Sequence, residues 1–130
     1  MTPFGLLLQL SGLSQREAGA FLVISPSMID KMTRGTRAAS AGVMREMRDL
    51  IERQDEAAAQ AIAQIAHMGP SEIELGYPAD DHEAQALGWP CVGAWRGMAA
   101  RVIAATTAPI TLVPRGATAG TAAAADRHGL

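Results

Sequence analysis

Apolar residues recur at helical spacing through the first third of the chain, in three short bursts separated by residues that cap or break helices. Thr2 and Pro3 open the first burst, Phe4, Leu7, Leu8 and Leu10 are its apolar set, and Gly12 ends it. Ser14 opens the second, with Glu17 three residues on to complete a capping box. Ala18, Gly19 and Leu22 then line one face, small enough at its centre for another helix to come close. Ser25 caps the third, Pro26 takes its first position, Ile29 and Met32 point inward and Gly35 closes it. Ser27, Met28, Asp30, Lys31 and Arg34 are left outside. Phe4, Leu7, Phe21, Ile29, Met32 and Leu50 are the expected core of this part.

From Ser40 the pattern predicts one long helix, or two nearly collinear ones, up to the stop at Gly69 and Pro70. Val43, Met47, Leu50, Gln54, Ala57, Ala61, Ile65 and Met68 fall along one edge of it. Arg45, Asp49 and Arg53 are spaced for pairing along its first half. The alanine-rich second half implies contact round most of its circumference, with a partner or within the chain's own core. After Pro70, Ile73, Leu75 and Tyr77 alternate as in a short strand. Asp80, Asp81, His82 and Glu83 open a short helix that Trp89 and Pro90 break. A further helix over 92–105 carries Trp95, Met98, Val102 and Ile103. A second strand over 110–113 follows, able to pair with the first within a chain or across a dimer. The expected fold is mainly α: an N-terminal helical bundle over 1–53, a connecting helix and small α+β unit over 54–114, and a low-complexity, disordered tail over 115–130.

Residues 13–37 read LSQREAGAFLVISPSMIDKMTRGTR, and place Gln15, Ser27, Lys31, Arg34 and Arg37 on one exposed side. In the order Ser14, Gln15, Ala18, Leu22, Ser25, Ile29, Gly35 and Arg37, the segment resembles the helix-turn-helix of phage repressor and Cro proteins. That resemblance implies a third helix lying in the major groove of DNA, with Pro26, Ser27 and Lys31 facing base edges. It also implies that Gln15, Thr36 and Arg37 contact backbone phosphates, and Arg34 joins them on the same exposed face. Val23 stands where the family has a glycine with positive φ, which predicts a turn that is wider or shifted by one residue. Gly19, where the family usually has alanine, lowers helix propensity but keeps the close approach.

The layout of the whole chain, with Gly88-Trp89 and the apolar helix after it, resembles the phage and mobile-element regulators that include the anti-CRISPR-associated autorepressors. This implies that the C-terminal unit holds a homodimer together. Ile65, Leu75, Trp89, Trp95, Val102 and Ile110 are its candidate dimerisation residues.

The formal charge of −2 is unusual for a protein that meets nucleic acid until it is divided along the chain. Residues 1–53 hold seven Lys and Arg against five Asp and Glu, whereas 54–130 hold four against eight, so the positive end is the helix-turn-helix end. A head of such modest charge gains useful affinity by acting in pairs, because each phosphate contact adds a small salt-dependent increment. The expected function is therefore a homodimeric transcriptional repressor on an inverted-repeat operator in double-stranded DNA, autoregulating a phage or mobile-element operon. Three readings compete with it: a helical hairpin that only packs a core, a protein-interaction module such as an antitoxin or adaptor, and a regulator that also grips RNA of its own message.

Enzymatic chemistry is not expected. The acids and His82 of 80–83 project in different directions, with no second His or Cys at ligand spacing, so a solvated helix start is read there and no metal or cofactor. The single cysteine, Cys91, excludes an internal disulfide and is read as buried and inert. His67 suits a helix C-terminus, and Trp89 and Trp95 are read as hydrophobic anchors before stacking platforms for RNA. The first residues do not read as a secretory leader and no apolar run is long enough to span a bilayer, so a cytoplasmic location is expected.

Overall fold

The computed structural model describes residues 1–115; all of the expected tail except Arg115 lies outside the described residues. Among those described are six helices and two strands: α1 (Pro3–Ser11), α2 (Gln15–Leu22), α3 (Pro26–Arg34), α4 (Ala41–Met68), β1 (Ile73–Tyr77), α5 (Asp81–Ala86), α6 (Val92–Ala105) and β2 (Ile110–Pro114). The protein is thus mainly helical, as the hydrophobic pattern implied.

Local chemistry sets most of the helix ends. The hydroxyls of Thr2, Ser14, Ser25 and Ser40 each accept from an amide three residues on, and Gly12, Gly35 and Gly69 close α1, α3 and α4 in the left-handed conformation. Thr2 does more than cap. Its hydroxyl also lies 3.2 Å from the Met32 carbonyl and 3.0 Å from that of Thr33, joining the start of α1 to the end of α3.

The long helix α4 is continuous, crossing residue 53 without a break, and one hydrophobic core draws on both sides of that point. Phe4, Leu8, Ile29, Met32, Met47 and Leu50 enter it from the N-terminal side, and Ala84, Trp89, Trp95 and Ala99 from the C-terminal side. Of the expected core residues, Leu7 and Phe21 are half-buried against this cluster. Trp89, Trp95 and Val102, expected at a dimer contact, are instead 8, 7 and 2% exposed within their own chain, which leaves them little surface for a partner. Ile65, Leu75 and Ile110 keep partial exposure.

At the centre of this core Gln54 is fully buried, its amide donating to the Ser11 carbonyl at 2.8 Å and the Ala94 carbonyl at 2.9 Å. It thereby ties α4 to the end of α1 and the start of α6. Gly93 and Gly97, one turn apart on α6, let that end of α1 pass flat across the helix. A methyl group at Gly97 would overlap the Ser11 carbonyl and the Gln54 amide, and one at Gly93 the Glu17 carboxylate and the Gly12 carbonyl.

The expected pairing of Arg45, Asp49 and Arg53 does not form. Arg53 instead donates to the Gly88 carbonyl and lies 5.2 Å from the Trp89 ring centroid. The attraction of the guanidinium to the indole face, together with its hydrogen bond, outweighs an exposed pair on the helix surface. Beyond Ala58 no residue of α4 is fully buried; Ala61, Ile62 and Ile65 are half-buried and the rest exposed, so its alanine-rich second half is covered on one side only within this chain. The strands pair in parallel within the chain, Ile73 opposite Ile110 and Tyr77 opposite Pro114, with α5 and α6 as the crossover that parallel pairing requires.

Replacing Gly97 with alanine should destabilise the fold by about 1–3 kcal/mol, the usual cost of forcing atoms into a filled site. At the exposed, unobstructed Gly42, in the first turn of α4, the same change should stabilise by up to about 0.5 kcal/mol, because helical backbone favours alanine over glycine, though less at an end than in the middle. Urea unfolding of the two variants reads both signs, and a neutral Gly97→Ala would contradict the crossing described here.

Candidate nucleic-acid interface

The exposed side of the N-terminal bundle is built from the first turn of α2, the outer face of α3 and the loop behind α3. Ser14 and Glu17 form the reciprocal capping box, with Glu17 N to Ser14 Oγ at 3.1 Å and Ser14 N to Glu17 Oε1 at 2.9 Å. This fixes Gln15 at the solvent-facing start of α2. Pro26, Ser27, Lys31 and Arg34 are all exposed on α3, as are Thr36 and Arg37 behind it. The seven sequence-derived candidates therefore lie on the exposed parts of one motif. Met28, expected outside, is half-buried against the core.

The turn between α2 and α3 departs from the expected widened form. Val23 itself takes the left-handed conformation, φ 57° and ψ 49°, and closes α2 with its amide on the Gly19 carbonyl. Its side chain is 89% exposed, so nothing packs against it to offset the strain of a β-branched residue there. The tight turn folds the Ile24 carbonyl back onto α2, where a Cβ on residue 19 would lie 2.7 Å from that oxygen. Gly19 is thus the backbone's requirement as well as a small packing residue.

Behind α3 the Lys31 carbonyl receives the amides of Gly35 and Thr36 at 3.0 Å and of Arg37 at 3.3 Å. The Thr36 hydroxyl also donates to it, at 3.3 Å. That hydroxyl, expected to be free for a phosphate, is committed to ending the helix. Among the described residues the guanidinium of Arg37 makes no hydrogen bond or ion pair, and it projects from a loop held by these backbone contacts.

Glu17 carries a second duty that the sequence did not signal. Its Oε2 accepts from the Gly93 amide at 2.8 Å, linking the capping box of α2 to the first turn of α6. Burial is the largest single influence and opposes ionisation of this carboxyl, but the hydrogen bonds from the Ser14 and Gly93 amides, with those from the Ser14 hydroxyl and the Cys91 thiol, together outweigh it and hold the group below its ordinary 4.5. Nearby Cys91 is buried, and its thiol is pushed up to about 11 by burial first and by the charge of Glu17 further on, a protonated and unreactive state.

The acids at 80–83 are spent on the backbone. Asp80 accepts from the Glu83 amide at 2.9 Å, Glu83 from the Ala79 amide at 2.7 Å, and Asp81 from the Val92 amide at 2.9 Å. No cluster able to hold a metal ion is found among the described residues, and none of their helices is long and apolar enough to cross a membrane.

No protein-family model matches the chain, and no curated protein is significantly similar to it.

Val23→Gly should raise stability by about 1 kcal/mol, since a left-handed residue with a side chain costs roughly that much. Gly19→Ala should lower it, because the Ile24 carbonyl must move. Thermal unfolding of both variants checks the pair, and two shifts of the same sign would contradict this turn.

The Glu17 contribution depends on pH in a definite direction. A carboxyl with its pKa lowered by folding stabilises fully above its unfolded value near 4.5, and that stability is lost as pH falls through the folded value. Unfolding midpoints followed downward from pH 6 should drop less steeply below about 4.5 in Glu17→Gln than in the wild type.

Proposed function

We propose that the protein is a DNA-binding transcriptional repressor that acts as a homodimer on an inverted-repeat operator, an autoregulator of the phage or mobile-element kind. The observation that supports this best is the α2–α3 pair itself. Two capped helices joined by a tight turn present Ser27 and Lys31 outward at one-turn spacing, with Gln15 and Arg37 to either side. A helix of nine residues exposed in this way fits the major groove of B-form DNA. In this reading Lys31 donates to guanine acceptors, Ser27 to either partner type, and Pro26 contributes shape. Gln15, Arg34 and Arg37 anchor the backbone, and Thr36 acts there through its loop position.

The reading pairs two chains so that both α3 helices meet one face of a duplex about one helical turn apart. Surface for the pairing is available away from the head. Ile62, Ile65 and Ala66 of α4 line an open groove of about 220 Å³ with 105–108, and each of the two strands keeps one edge unpaired. Such an edge is a template for further strand pairing.

Selection from a random duplex library with the purified chain should recover a palindrome. On that site Lys31→Ala should cost about 1–3 kcal/mol and relax preference at one base pair, whereas Arg37→Ala should weaken all duplexes alike and flatten the salt slope by about one. Absence of any salt-dependent duplex binding, or equal losses for the two variants on operator and random DNA, would overturn the assignment.

A further inference from the structure

Asp30 lies in the middle of the exposed face of α3, three residues after Ser27 and four before Arg34, and its carboxylate is the one acid on that helix. Both of its oxygens are engaged. Arg34 Nε lies 3.1 Å from Oδ2 and 3.2 Å from Oδ1, and Gln15 Nε2 lies 3.4 Å from Oδ1. One carboxylate therefore joins the first residue of α2 to the last of α3, and both of these residues belong to the phosphate-anchoring set of the proposed interface.

Folding gives little reason for this arrangement. The side chain of Arg34 is 72% exposed, and pairs that wet contribute little to stability. Affinity gives a reason against it, because a negative charge facing a polyanion repels it. What remains is selectivity, which can be raised by penalising the wrong partner as well as by rewarding the right one.

Resting on the DNA-binding reading, we infer that Asp30 is a specificity-determining residue that is masked by Arg34 and Gln15 until a matching base pair replaces them. When Arg34 swings to a phosphate, the carboxylate loses its cation while close to the duplex, a cost that every sequence imposes. Every base pair carries one exocyclic amino group in the major groove, cytosine N4 or adenine N6, so the vacated oxygen regains a hydrogen bond only where the base that α3 faces is the one carrying it. Random DNA, held through its phosphates without α3 seated on base edges, imposes the cost without the return. The few cations of this head then suffice for discrimination although they give modest affinity.

The test compares wild type, Asp30→Asn and Asp30→Ala on the selected operator, on the operator with each base pair changed, and on random duplex at several salt concentrations. Random-duplex binding should tighten by about threefold to tenfold in both variants, and the operator-to-random ratio should fall by about tenfold or more. Preference at one base pair should vanish in Asp30→Ala. Retained adenine preference in Asp30→Asn identifies adenine as the natural partner, since Asn pairs with its N6 and N7, and loss of preference there identifies cytosine. A purely structural Asp30 would shift both duplexes together and leave the ratio and the base preference in place, which overturns the inference while the DNA-binding reading stands. A wild type that prefers no duplex overturns both.

Discussion

The amide of Gln54, donating to Ser11 and Ala94 in a site closed to water, is the contact on which the architecture depends. Ser11, the last residue of α1, leaves a carbonyl with no partner inside its helix, and burying it unpaired would cost on the order of 1–3 kcal/mol. One side chain from α4 supplies that partner and also bonds the Ala94 carbonyl of α6, and it can do so only because Gly93 and Gly97 allow α1 to approach without a side chain in the way. The polar bridge and the glycine pair need each other. Arg101, one turn beyond Gly97, closes the same junction from outside by reaching Asp55 at 2.7 Å and the Gly97 carbonyl at 2.7 Å.

From that junction the exposed face of α3 is fixed at two points. Thr2 clamps the end of α3 to the start of α1, and Glu17 clamps the start of α2 to α6. The helices of the head are thus referred to the C-terminal unit by hydrogen bonds as well as by a shared core. A small head alone would bury little apolar surface. Borrowing Trp89, Trp95 and Ala99 from the rest of the chain supplies the remainder of its core.

Helix ends were legible in the sequence because their causes lie within three or four residues: Ser14 with Glu17, Ser25 with Pro26, Ser40, Gly35 and Gly69. Periodicity likewise placed Gln54 on the inner edge of α4. It could not reveal what Gln54 bonds to, since Ser11 and Ala94 are about forty residues away on either side. The same limit explains Trp89, Trp95 and Val102. An apolar stripe is legible as buried, but whether its cover comes from the same chain or another is a tertiary fact. The exposed set of the candidate interface followed from helical spacing, whereas the committed Thr36 hydroxyl and the Asp30 bridge depend on rotamers and on a neighbouring helix.

Glycine placement shows how a tight turn can form without a glycine at its corner. A tight turn between α2 and α3 needs a positive φ at its corner and room for the returning Ile24 carbonyl. In this chain Gly19 provides the room, and Val23 bears the strained corner with its side chain out in solvent, where no second penalty of packing is added. The substitution at the corner is tolerable because the approach is not blocked, and the tight approach holds the corner in place through the Val23 and Ile24 amides on the Gly19 carbonyl. The same economy runs through α4, which carries no proline or glycine from Val43 to Met68. An unbroken helix of that length, about 40 Å at 1.5 Å per residue, leaves no hinge between the head and the partly covered apolar end. Anything seated at that end therefore constrains the orientation of α3 through a continuous helix.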